Sequence, residues 1–68
     1  MEKDWKLVYS TSQQLRAQTI VSALKAANIE PVLLNKQDSS YLFGEVEIYV
    51  HLAQINEALI VIKQFENE

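Results

Sequence analysis

The sequence predicts a small α+β domain in the order β-α-β-β-α, a single antiparallel sheet with two helices on one face. Two stripes of helical period, over residues 17–27 and 55–65, and one strict two-residue alternation over 45–50 carry that prediction. Size supports it. A chain of 68 residues, 49% of them hydrophobic, holds one core and buries only about 60% of its unfolded surface. Nearly every apolar residue is therefore needed inside, and residues 1–68 read as one domain.

The first strand is expected over Trp5-Lys6-Leu7-Val8-Tyr9, which is aromatic and β-branched. Two registers stay open for it. Either Trp5, Leu7 and Tyr9 face the core, as buried apolar area favours, or Val8 does and the rings form a platform on the open face. Thr11 and Gln14 have the spacing of a capping box, in which each side chain satisfies a free backbone N–H. The helix that follows buries Ala17, Ile20, Val21, Ala23, Leu24 and Ala27, with Gln18, Ser22 and Lys25 opposite. Asn28 suits a left-handed helix end.

Pro31 forces Glu30 into extended geometry and lacks a ladder donor. The strand around Val32-Leu33-Leu34-Asn35 is therefore expected at a sheet edge. A turn-rich connection follows from Gln37 to Gly44. The third strand then buries Val46, Ile48 and Val50 and turns Glu45, Glu47 and Tyr49 outward. The last helix carries Ile55, Ala58, Leu59, Ile62 and Phe65 on its inner stripe, and Ile60 in its polar arc. The simplest sheet puts the third strand in the centre, antiparallel to both neighbours. This is a ferredoxin-like plan without its usual fourth strand, for which Glu66-Asn67-Glu68 leaves no room.

Composition narrows the function classes. Net charge is −3, and the cations Lys3, Lys6, Arg16, Lys25, Lys36 and Lys63 are scattered. Nucleic-acid binding draws on clustered cations, and Glu45 and Glu47 beside Tyr49 would repel phosphates, so no nucleic-acid partner is expected. The chain has no cysteine, hence no disulfide framework or thiolate metal site. Met1-Glu2-Lys3-Asp4 lacks the apolar core of a signal peptide. The longest apolar run, Ala58 to Ile62, is too short to span a bilayer. These features predict a cytoplasmic domain with no membrane partner and no cofactor.

Catalysis is not expected. Ser39 or Ser40, His51 and a carboxylate supply the residue types of a hydrolytic triad. The third strand separates serine from histidine by roughly 20 Å, at roughly 3.3 Å per residue. His51 alone is a strand-end histidine, and a lone histidine among scattered carboxylates is a poor metal site. Gly44 is the one glycine, so no phosphate loop exists. Attention falls instead on Asn35, Lys36, Gln37, Asp38, Ser39, Ser40, Tyr41, Phe43, Gly44 and Glu45. Asp38 and the serines can close local turns. Tyr41, Leu42 and Phe43 either plug the sheet edge or offer a patch to a partner.

The run Asn35-Lys36-Gln37-Asp38-Ser39-Ser40-Tyr41-Leu42-Phe43-Gly44-Glu45, continuing through Glu47, Tyr49 and Val50, resembles a bacterial family of unknown function described as "putative prokaryotic signal-transducing proteins". The Trp5 strand, the helix ending in Asn28-Ile29 and the closing amphipathic helix are similar to it too. The resemblance implies a fold akin to the PII nitrogen-regulatory proteins and a regulatory role. Family members more often carry Gly where Asn28 stands. The long nucleotide-binding loop of PII proteins has no counterpart here, so nucleotide sensing is not implied.

The expected activity is thus partner binding through the 37–44 loop and adjoining sheet surface, or small-ligand sensing in a pocket between them. Self-association through the first strand (Trp5, Leu7, Val8, Tyr9) is also expected, because an open edge there carries unpaired backbone groups.

Overall fold

A computed structural model describes residues 3–36 and 44–66. The elements are β1 (Trp5–Thr11), α1 (Gln14–Ala26), β2 (Val32–Asn35), β3 (Val46–His51) and α2 (Ile55–Glu66), with a 3-10 turn at Leu52–Gln54. The sheet order is β1-β3-β2, and both pairings are antiparallel. This is the βαββα, ferredoxin-like layout the sequence predicts.

The core follows from β3. Val46, Ile48 and Val50 alternate inward and are fully buried against Ala17, Ile20 and Leu24 of α1, Ile29, and Ala58 and Ile62 of α2. Both helices pack on β1 and β3, while β2 lies outside the main helix–sheet contacts. All four β2 side chains are exposed.

Local chemistry explains the ends of the elements. Asn28 takes a positive φ of 64°, which an Asn tolerates better than most residues. The Ile29 N–H donates to the Leu24 carbonyl (2.9 Å) and the Asn28 N–H to the Lys25 carbonyl (3.0 Å). That is a Schellman closure, and its customary apolar contact is the buried pair Leu24 and Ile29. At the other end the capping box is not formed. Strand β1 runs on to Thr11, whose Oγ1 accepts from the Gln13 N–H at 3.1 Å. The helix opens after Gln13 without a side-chain cap.

Three further expectations change. Ala27, placed on the buried stripe, is exposed because α1 ends at Ala26 and Ala27 is its C-cap. Leu59 is 47% exposed, and Val61 packs against the core instead. Strand β1 takes neither of its two registers whole. A bulge between Leu7 and Tyr9 shifts the pairing by one residue. Trp5 and Leu7 share a face with His51 and Tyr49, whereas Tyr9 and Thr11 share one with Ile48 and Val46. One extra residue reverses the alternation.

Candidate functional site

One face of the sheet carries the helices, and among the described residues no element packs on the other, here called the bare face. Residues opposite each other in a ladder share a face, so the bare face can be read row by row. Its middle row is Leu7, Tyr49 and Val32, one residue from each strand. On one side stands Trp5 opposite His51, their rings edge to face at 5.6 Å. On the other stand Ser10, Glu47 and Leu34. Leu7, Val32 and Leu34 are all exposed.

Lys36 and Glu47 finish the corner of this face. The Lys36 ammonium lies 3.0 Å from Glu47 Oε1, and the Tyr49 hydroxyl donates to the same oxygen at 2.9 Å. Glu47 is held below the usual carboxylate range by the Lys36 hydrogen bond first and the Tyr49 hydroxyl second. Bonding to Glu47 in turn raises Lys36 and Tyr49 above their ordinary values. The corner is a surface ion pair that also accepts the Tyr49 hydroxyl. It borders an apolar strip and does not interrupt it.

The Lys36 N–H donates to the Glu45 carbonyl at 3.0 Å, so Lys36 and Glu45 extend the β2–β3 ladder by one rung. Gly44 turns with a φ of 92°, where a Cβ would clash. Asn35, Lys36, Gly44 and Glu45 thus stand together at the mouth of the connection. Gln37, Asp38, Ser39, Ser40, Tyr41 and Phe43 lie outside the described residues, as do the serines of the triad. His51 is placed: its Nδ1 accepts from the Ala53 N–H at 3.1 Å and opens the 3-10 turn. Of the edge residues, Trp5 and Leu7 belong to the bare face, while Val8 and Tyr9 pack against the core. The Tyr9 hydroxyl accepts from Arg16 Nε at 2.6 Å, and that guanidinium lies over the Phe65 ring.

Beside the mouth, a hollow of about 100 Å³ is lined by Gln14, Ala17, Gln18, Leu33, Asn35 and Val46. It is well below the roughly 300–1,000 Å³ of ligand sites. A shallow apolar trough of about 340 Å³ runs between the helices along Ala23, Ala26, Ala27, Val61, Gln64 and Phe65. Among the described residues no three His, Asp or Glu side chains gather as a metal site, and no helix is long and apolar enough to cross a membrane.

Sequence reasoning named Tyr49 and left Trp5 and Leu7 open, but it missed Val32, Leu34 and His51 on the face. The β3 alternation already assigns His51 the side of Tyr49. Pro31 could have drawn attention to β2, since an edge strand with three successive apolar residues has somewhere to present them.

Fold and face together define a small α+β domain with exposed apolar residues on one sheet face and an ion-paired corner. The chain belongs to the family described as "Putative prokaryotic signal transducing protein", whose model matches residues 5–66. No curated protein and no solved structure matches it.

Proposed function

We propose that this chain is a cytoplasmic, non-catalytic regulatory domain that binds a protein partner on its bare sheet face, with the 37–44 loop at the margin. The observation that carries the reading is the row Leu7, Tyr49 and Val32, continued by Trp5 and Leu34, with no helix of the described residues over it. An apolar surface of this kind is the usual mark of an interaction site. Three strands spaced about 4.8 Å apart match the roughly 10–12 Å width of one helix. The occupant we infer is an amphipathic helix of the partner, laid along the strands. The signal-transducing description of the family supports a binding role over a catalytic one. Small-ligand sensing between the loop and the sheet is the second reading; the hollow that the described residues form there is about 100 Å³, below the usual size of ligand sites.

Crosslinked capture from a native lysate tests the proposal, comparing wild type with Leu7→Arg. Leu7 is 47% exposed, so the variant should melt like wild type and lose the captured protein. Retention of the same protein at the same yield would overturn the reading.

A further inference from the structure

Helix α1 has a second face that the sheet does not use. At 3.6 residues per turn, Leu15, Thr19, Ser22 and Ala26 fall on one stripe, nearly opposite the buried Ala17, Ile20 and Leu24. All four are exposed. Their spacing of four, three and four residues is that of a helix seam, where side chains of one helix drop between those of another. The Thr19 hydroxyl donates to the Leu15 carbonyl at 3.0 Å, so covering it leaves no donor unpaired. Arg16 is drawn off the stripe: its Nε donates to the Tyr9 hydroxyl and its guanidinium lies over Phe65.

The stripe has a knob at one end and a hollow at the other. Leu15 is 77% exposed, and Ile60, on the arc of α2 opposite Ala58 and Ile62, is 59% exposed. Among the described residues these are the two most exposed large apolar side chains, and both stand on the outer surface of the helix layer. At the far end of the stripe, Ala26 with Ala23 and Ala27 forms one wall of the 340 Å³ trough, and Val61 and Phe65 form the other. A cavity of about 150 Å³ holds benzene, so the trough has room for a leucine side chain. From Leu15 to Ala26 the helix rises about 16 Å.

We propose that α1 is the seam of a homodimer, in which two copies stack helix layer on helix layer with α1 antiparallel to the partner's α1. The Leu15 of each copy fills the trough of the other. A two-fold axis midway between Thr19 and Ser22 sets Leu15 against the partner's Ala26 and Thr19 against the partner's Ser22, each contact made twice. A shift of one turn either moves Leu15 off the hollow to the partner's Ser22 or runs it past the end of α1 at Ala26. A parallel pairing sets Leu15 on the partner's Leu15 and leaves both troughs unfilled. Charge favours the same choice. Helix α1 has no acid to offset Arg16 and Lys25; a parallel seam brings each level with its own copy, and the antiparallel seam keeps them on opposite flanks. A foreign helix laid in the trough would leave Leu15 in water, whereas a second copy covers knob and hollow together. One helix face from each copy falls short of the ~1,200 Å² of a standard interface, so the dimer belongs to the weak, transient class. Stacking through the helices leaves both bare sheet faces outward, so the seam stands or falls independently of the partner reading.

Sedimentation of the full chain across a concentration series into the high micromolar range tests the seam. Wild type should pass from monomer to dimer. Leu15→Asp should stay monomeric and melt no lower than wild type, because the site is exposed and an acid suits the first turn of a helix. Cysteine substitution reads the register, since the chain has no cysteine of its own. A disulfide needs Cα atoms within about 7 Å. Positions 15 and 26 of one helix are too far apart for that, but across the seam they meet. Under mild oxidation, Leu15→Cys mixed with Ala26→Cys should crosslink about tenfold faster than either variant alone, because the seam holds the two thiols at a high local concentration. A wild type that stays monomeric throughout, a Leu15→Asp variant that dimerises as wild type does, or equal crosslinking of the mixed and single variants would each overturn the proposal.

Discussion

Truncating Leu24 to Ala is the sharpest test of the core. Leu24 is fully buried and sits where α1, Ile29 and the sheet meet. The change removes three carbons, worth about 0.8 kcal/mol each in lost burial, and leaves a cavity that raises the usual cost to about 2–5 kcal/mol. We take about 3 kcal/mol as the expected value. At roughly 0.05–0.15 kcal/mol per residue, the whole domain holds only a few kcal/mol more than that. Urea unfolding followed by far-UV circular dichroism reads the loss directly. With a slope of about 1–1.5 kcal/mol per molar, the midpoint should fall by about 2 M, leaving the variant near its unfolding transition in buffer. Leu15→Ala is the control: Leu15 is 77% exposed on the same helix, so its effect should stay within about 0.5 kcal/mol. Equal shifts for Leu24 and Leu15 would refute the assignment of the buried face.

Three other outcomes are expected. Asn28→Ala should cost about 1 kcal/mol, because the left-handed conformation suits Asn better than Ala; Asn28→Gly should cost nothing, and chemical denaturation compares them. Glu47 has a lowered pKa in the fold, so its contribution is present above the ordinary carboxylate range and is lost as pH falls through the lowered value. Melting temperature plotted from pH 7 downward should therefore drop more steeply for wild type than for Glu47→Gln, and parallel curves would remove the ion-paired corner from the account of stability. Replacing Tyr41 and Phe43 together by Ser should abolish capture of the partner at an unchanged melting temperature if the rings form a patch, and should lower the melting temperature if they plug the sheet edge; a stable variant that captures the same protein would exclude the loop.

How far the sequence could be read depended on periodicity. Strand β3 was legible because one of its faces is wholly buried, so its alternation survives in the residue types. Strand β1 was not, because a bulge adds a residue without leaving a composition signal: Val8 is as ordinary in a regular strand as in a bulged one. The Thr11–Gln14 spacing misled for a related reason. A capping motif reports a helix start only where the strand before it has already ended, and β1 claims Thr11. Leu59 shows the limit of a stripe read from one helix. Whether a flanking position is covered depends on the neighbouring element, and that information lies elsewhere in the chain. The bare face was the hardest part to read, since Val32 and Leu34 look like core residues until their register with Tyr49 and Glu47 puts them on the side of the sheet away from the helices.

The placement of β2 beyond the helix layer has a consequence for the time domain. Amides whose bonds break only on global unfolding set the slowest exchange with solvent deuterium, and those released by partial openings exchange sooner. Strand β3 is pinned between two strands and beneath both helices, so the Ile48 and Val50 amides should report the full unfolding free energy. The Leu34 amide faces β3 but is held by a strand whose side chains are all exposed, and it should exchange through the cheaper detachment of β2 alone. The Leu33 amide faces away from β3 and should exchange sooner than either.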